Sequence, residues 1–209
     1  MRYRAVLFDL LTALLDSWTV WNRAAGSEAA GRRWRAKYLE LTYGCGGYEP
    51  YDSLVAQAAV QTGLDAGAAA RLEADWDALQ PWSGAQEMLD ALSRTHRLGV
   101  VTNCSERLGR RAAARLGCRW ETLVTAERAG FYKPDPRPYR MALDELGLPA
   151  GEVLFVAGSG FDLFGTAQCG LDTYWHNRVG LEPPAGAPLP RAQSRDLSGV
   201  VPLATEEAR

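Results

Sequence analysis

Three short runs of consecutive apolar residues stand out along the chain. Residues 4–8 (RAVLF) end at Asp9, residues 97–103 (RLGVVTN) end at Thr102-Asn103, and residues 152–157 (EVLFVA) run into GSGFD. The runs are unbroken rather than alternating, which predicts strands covered on both faces, as in a parallel sheet. Weaker runs at 121–125 (ETLVT) and 171–175 (LDTYW) add two more strands. Between them, segments 84–94, 105–116 and 136–147 carry apolar residues at helical spacing. Strand alternating with helix predicts an α/β fold with a doubly wound parallel sheet.

Residues 16–80 interrupt that rhythm. They hold helical patterns at 18–30, 32–43, 51–62 and 66–79, separated by a Gly/Pro-rich break, GCGGYEP, at 44–50. No buried strand is readable there, so a helical insertion separates the first strand from the rest of the sheet. Near the end of the chain, 180–195 reads as a Pro, Gly and Ala-rich loop, and LSGVVPL at 197–203 as an edge strand.

Composition narrows the functional classes. The 209 residues, at roughly 150 per domain, correspond to about 1.4 domains, which agrees with one α/β core plus an insertion. The net charge of −2 argues against a nucleic-acid partner. No apolar run reaches the ~18 residues of a membrane span, and Asp9 interrupts the first apolar stretch, unlike a secretory signal. A cytoplasmic chain is the expectation. The four cysteines, at 45, 104, 118 and 169, lie at no metal or redox spacing and read as plain thiols. Of 23 basic residues only Lys37 and Lys133 are lysines.

Ligands of open α/β sheets bind at the carboxyl ends of the strands. Four polar groups are predicted there: Asp9 after the first strand, Thr102-Asn103 after the second, Lys133 in FYKPDP, and Asp162 in GSGFD. One strand-end Asp often only caps a turn; four such groups in order indicate a site. In a chain that otherwise uses arginine, a lysine at 133 suggests a compact point charge rather than a planar fork.

The segments AVLFDLLTALLDS, GVVTN, AGFYKPDPRPY and VLFVAGSGFD resemble the four motifs of the haloacid dehalogenase superfamily of hydrolases. The likeness spans nearly the whole chain and is greatest to the L-2-haloacid dehalogenase branch, through Lys133 with Tyr139 six residues later, RWRAKYLELTY and DTYWHNR. It implies a Rossmann-like core of residues 1–15 and 81–209 with a helical cap at 16–80, and metal-independent dehalogenation of a small 2-halo acid without a cofactor. It further implies Asp9 as nucleophile forming an aspartyl ester, Lys133 ionising it, Asp162 anchoring Lys133 and positioning water, and Thr102 binding the substrate carboxylate. Arg35 and Asn103 would receive the halide, Tyr139 would support the ester or Lys133, Ser159 would stand in for a missing Asn, and Phe161 and Trp18 would be apolar walls. A small anionic organic substrate and a homodimer follow from the same likeness; Arg32 and Arg33 read as a solvated face.

Departures from the family pattern separate its branches. The phosphatases of the superfamily need an acid two residues after the nucleophile and another directly after the last-motif strand; these positions are Leu11 and Gly158. Leucine cannot protonate a leaving alkoxide, and Mg²⁺ prefers carboxylate oxygens. Other changes weaken the dehalogenase pattern itself: the usual Gly-Thr is Thr12-Ala13, and a Ser and an Asn of the last motif are Ala157 and Ser159. Two alternatives stay open on sequence: a magnesium phosphatase with degenerate ligands, and an inactive scaffold that binds a small acid.

Overall fold

The computed structural model describes residues 1–207. Its centre is a six-stranded sheet of β1 (Ala5–Phe8), β2 (Arg97–Thr102), β3 (Thr122–Thr125), β4 (Val153–Ala157), β5 (Asp172–His176) and β6 (Ala192–Ser194), in the order β3-β2-β1-β4-β5-β6 with every pair parallel. β1 lies at the centre, with Phe8 in register with Val100 on one side and Val156 on the other. The strand order reverses about β1, so the crevice at its carboxyl end is where such a sheet takes a ligand.

Alternation along the strands divides the core. Val6, Phe8, Leu98, Val100, Leu154 and Val156 face one side, while Ala5, Leu7, Val101, Val153 and Phe155 face the other. The first side is covered by α5 (Ala85–Leu92), α6 (Glu106–Ala113) and α10 (Val200–Ala204), the second by α8 (Pro136–Leu146) and α9 (Asp162–Cys169); a short α7 (Ala126–Ala129) follows β3. The seven-residue run LSGVVPL is thus no edge strand. Its buried Leu197, Val200, Leu203 and Ala204 recur at helical spacing, and Pro202 sits in the first turn of α10, where it removes no intrahelical bond. The edge strand instead falls at 192–194, inside the stretch read as loop.

The expected insertion is helical: α1 (Ser17–Ala24), α2 (Glu28–Gly44), α3 (Tyr51–Gln61) and α4 (Ala68–Ala74). The pattern at 18–30 breaks earlier than the sequence suggested, because Gly26 takes a left-handed φ of 80° and Ser27 caps α2 by accepting from Ala30 N at 3.2 Å. An aromatic row runs through the insertion. Trp21 lies 4.6 Å from Trp34 and 5.4 Å from Tyr38, and Tyr51 lies 5.4 Å from Tyr38 and 6.1 Å from Trp76. Trp34 and Trp76 keep their indole N–H groups satisfied, on Val55 O at 2.8 Å and Leu108 O at 2.9 Å. These aromatics join the same apolar cluster as Phe8 and Leu108, so the insertion packs continuously onto the sheet half. Among the described residues no helix is long and apolar enough to cross a membrane.

Candidate active site

Asp9 is the first residue past β1. It caps a single wide helical turn, Leu10–Leu14, closed by Leu15 N donating to Leu10 O at 3.0 Å. Such turns recur at functional sites. Here the turn aims donors inward at one carboxylate oxygen. Asp9 Oδ2 accepts from Thr12 N at 2.8 Å, from the Thr12 hydroxyl at 2.5 Å and from Ala13 N at 3.2 Å. Oδ1 takes one contact, from Lys133 Nζ at 2.9 Å.

Lys133 is 4% exposed and bridges two carboxylates, since its Nζ is also 3.0 Å from Asp162 Oδ1. The side-chain amide of Asn103 fixes its backbone from both directions: Lys133 N donates to Asn103 Oδ1 at 2.7 Å, and Asn103 Nδ2 donates to Lys133 O at 2.9 Å. One amide hydrogen of Asn103 remains for a ligand. Asp162 opens α9 and is held from behind by the Tyr139 hydroxyl, which donates to Oδ1 at 2.6 Å. Its Oδ2 is buried without a partner among the described residues.

The electrostatics follow from this packing. Burial pushes Asp9 towards protonation, but the Lys133 charge and the Thr12 hydrogen bonds outweigh it and hold Asp9 below the ordinary carboxylate value. Burial opposes the charge on Lys133, and Asp162 and Asp9 together more than restore it, raising its pKa. For Asp162 burial prevails over Lys133, and its pKa is raised. One carboxylate is therefore kept ionised and the other basic, a division that suits nucleophile and proton acceptor.

Across the cavity, α2 contributes Arg35, Tyr38, Leu39 and Tyr43, spaced i, i+3, i+4 and i+8 along one helix face. Arg35 donates to Ser17 Oγ at 2.9 Å and stacks over Trp18 at 4.4 Å, with no carboxylate partner among the described residues. Burial lowers its pKa, the largest opposing influence being Tyr51. A guanidinium without an anion, facing a cavity, is a place for one. The cavity is small, ≈ 50 Å³, which is room for a few waters or one small acid. Ser159 and Phe161 close it, with Phe161 4.7 Å from the Tyr43 ring.

Asp9, Arg35, Asn103, Lys133, Ser159, Phe161 and Asp162, all expected from sequence, line this one cavity. Three expected residues do not. Thr102 is 1% exposed, and its side chain meets Cys104 rather than the cavity: it continues the face of Leu98 and Val100 towards α6. Tyr139 is buried behind Asp162 and reaches the cavity only through that carboxylate. Trp18 backs Arg35 instead of forming a wall. Arg32 and Arg33 are exposed, Arg32 pairing with Glu28 at 2.8 Å, as a solvated face requires. The sequence reading missed Thr12, Trp21, Tyr38, Leu39, Tyr43 and Tyr51 as cavity residues. For the α2 residues the signal was available as helical spacing from Arg35.

The hydroxyl missing at Ala13 is supplied from the neighbouring position, since Thr12 Oγ1 is the one on Asp9. Gly158 makes that possible. A Cβ there would stand 2.3 Å from Thr12 Oγ1, Thr12 C and Ala13 N, so no carboxylate can occupy position 158 while Thr12 is seated. This bears on the magnesium that superfamily phosphatases use. Of the carboxylates it needs, positions 11 and 158 have none, and the remaining two are bridged by an ammonium. Among the described residues no group of three or more Asp, Glu, His or Cys is placed to hold a metal ion. The donor set does not fit that ion. Cys104 does not compete with Asp9 as a nucleophile: it is buried, and burial drives its thiol pKa up.

A doubly wound parallel sheet with an ionised carboxylate at its switch point, clamped by a buried lysine, is the layout of a carboxylate-based α/β hydrolase. The family profile for haloacid dehalogenase-like hydrolases matches residues 3–170, and the chain belongs to that family. It is 31% identical to (S)-2-haloacid dehalogenase 4A of Burkholderia cepacia, over 96% of this chain and 94% of that one. It is 27% identical to haloacetate dehalogenase H-2 of a Moraxella species, over 86% and 88% respectively. Among solved structures, an L-2-haloacid dehalogenase superposes with a TM-score of 0.87 at 25% identity, covering 99% of this chain and all of that one.

Proposed function

We propose that the protein hydrolyses the carbon–halogen bond of a small 2-halo acid through an ester on Asp9. The observation that carries this reading is the Lys133 ammonium between Asp9 and Asp162, with Arg35, which has no carboxylate partner among the described residues, lining the same small cavity. The relatives' substrates, 2-haloacids and haloacetate, are of matching size and charge.

In the first step Asp9 Oδ1 attacks C2 with inversion. The C–O bond forms, the C–halogen bond breaks, and halide leaves with the electron pair towards Arg35 and the spare amide hydrogen of Asn103. Halide departs without protonation, so the leucine at 11 is no handicap. Attack by Oδ1 leaves Oδ2 as the ester carbonyl oxygen, already cradled by Thr12 N, the Thr12 hydroxyl and Ala13 N. That cradle is a preorganised oxyanion site for the second step. There a water attacks Asp9 Cγ, the Cγ–Oδ1 bond breaks, and the 2-hydroxy acid leaves as the carboxylate reforms. Asp162 Oδ2, the unpartnered oxygen, orients the water, accepts one of its protons and passes it to the departing Oδ1, which becomes the hydroxyl of the product; the second proton leaves from the re-formed Asp9 carboxyl. The new carboxylate carries one oxygen from water.

Residues 16–80 act in this reading as a cap over a core of 1–15 and 81–209. α2 sets Arg35 above Asp9, and closure excludes bulk water from the ester.

The test is halide release from (S)-2-chloropropionate in the presence of EDTA, beside a panel of phosphate esters. Turnover unaffected by EDTA and abolished by Asp9→Asn is expected. Phosphatase activity that EDTA removes, without halide release, contradicts the reading.

A further inference from the structure

Tyr51 opens α3 and is 2% exposed, yet its hydroxyl oxygen is sealed from solvent without a hydrogen-bond partner among the described residues. A buried hydroxyl left in that condition carries a substantial penalty, and a phenylalanine of the same shape would avoid it. Neighbouring tyrosines do not share the condition. Tyr38 donates to Asn103 O at 3.1 Å, Tyr132 to Glu49 O at 2.8 Å and Tyr139 to Asp162 at 2.6 Å.

The side chain is placed between two spaces. Its ring is flanked by Tyr38 and Trp76, and it separates the Asp9 cavity from an outer groove lined by Ala69, Leu72 and Glu73. The hydroxyl is closed to solvent, and Tyr51 lines the Asp9 cavity together with Arg35, so an acceptor held in that cavity is what can satisfy it. Arg35 and the Tyr51 phenol are both donors there, and burial keeps the phenol protonated. Two donors against aromatic walls call for a ligand that only accepts.

We propose that the Tyr51 hydroxyl is a third donor of the leaving-halide site, beside Arg35 and Asn103, and that it biases the enzyme towards the smaller halides. The halide leaving rests on the dehalogenase reading above; binding of a free halide does not. A hydrogen bond to an anion strengthens as the ion becomes smaller and its charge denser, so chloride depends on the hydroxyl more than bromide does.

The experiment is Tyr51→Phe on the full chain, with three measurements: chloride and bromide affinity by calorimetry at constant ionic strength, kcat on 2-chloro- and 2-bromopropionate, and thermal midpoint. Chloride affinity is expected to fall about 10-fold or more, the chloro-to-bromo kcat ratio to fall, and the thermal midpoint to hold or rise, because an unsatisfied group has gone. A residue serving only to pack the aromatic row would leave affinity and ratio untouched, and that result overturns the proposal. The calorimetry separates the two readings. Chloride binding that Tyr51→Phe weakens, in a protein that releases no halide, upholds the anion site and removes the dehalogenase reading. Turnover with unchanged halide affinity and ratio does the reverse.

Discussion

At the residue scale the site depends on one ammonium. Lys133 is the buried member of the chain's two lysines, the other being Lys37, which pairs with Glu40 at the surface. Replacing Lys133 by Met leaves Asp9 and Asp162 facing each other without a cation. Halide release is expected to fall at least ~100-fold, and stability by about 3–5 kcal/mol, read from kcat and from urea midpoints. Lys133→Arg fares little better, because a planar fork does not fit between two carboxylates set for a point charge. The pH dependence follows the pKa directions. Asp9 is depressed, so its contribution to stability is present above the ordinary value near 3.8 and is lost as pH falls through its folded pKa. Lys133 is raised, so its contribution is complete below its ordinary value near 10.5 and is lost as pH rises through its folded pKa. kcat/KM is accordingly expected to show no ionisation of Asp9 or Lys133 between about pH 5 and 10. A step near neutrality that Lys133→Arg shifts would contradict this assignment. Asp9, Asn103, Lys133 and Asp162, which line one cavity with Arg35, were legible in the sequence through strand-end position and motif order, which are local properties, and Arg35 through the likeness of RWRAKYLELTY. Thr102 was not: the motif gives its place at the strand end, but the parity of the strand decides its face, and that parity sends it to α6.

At the element scale, the turn after β1 and the end of β4 fit as a pair. Thr12 takes over the hydroxyl that Ala13 lacks, and Gly158 leaves it room. Gly165 has a similar function on α9: a Cβ there would sit 2.3 Å from Tyr139 Cε2, on the ring that holds Asp162. Gly158→Ala is expected to destabilise by about 1–3 kcal/mol through overpacking. It should also reduce turnover, by displacing the Asp9 cradle; denaturant midpoints and initial rates check both. Gly158→Asp, which restores the acid of the phosphatase pattern, is expected to yield no magnesium-dependent phosphatase activity. Sequence showed these substitutions as separate losses. Their compensation is a contact between residues about 145 positions apart, which no local pattern encodes. The same limit explains residues 180–204: β6 is too short and polar for a period to register, and α10 is a short apolar run that periodicity alone does not separate from a strand.

At the scale of the whole molecule, the sheet supports the turn from beneath. His176, at the end of β5, donates from Nδ1 to Ala13 O at 2.8 Å, so the first strand's turn and the fifth strand are tied. Burial lowers the pKa of His176, against the opposing hydrogen bond to Ala13. A depressed folded pKa means that the unfolded chain binds the proton more readily. Stability is then expected to decline as pH falls through the ordinary histidine value near 6.5. Urea midpoints at several pH values check this, and His176→Asn should flatten the slope. The helical insertion, read from its pattern alone as an interruption, proves to be one continuous core with the sheet half, with Tyr38 and Trp76 reaching Asn103 and Leu108. Cavity residues such as Tyr51 escaped the reading because their role is set by that packing and not by their segment.

The central claim is that Asp9 carries the ester, and isotope labelling tests it most directly. With enzyme in excess over (S)-2-chloropropionate in heavy-oxygen water, a single turnover should place the heavy oxygen in the Asp9 peptide, detected by mass spectrometry. The first lactate formed should be unlabelled. Heavy oxygen in that lactate, with the Asp9 peptide unchanged, would mean that water attacks the substrate directly and would contradict the account.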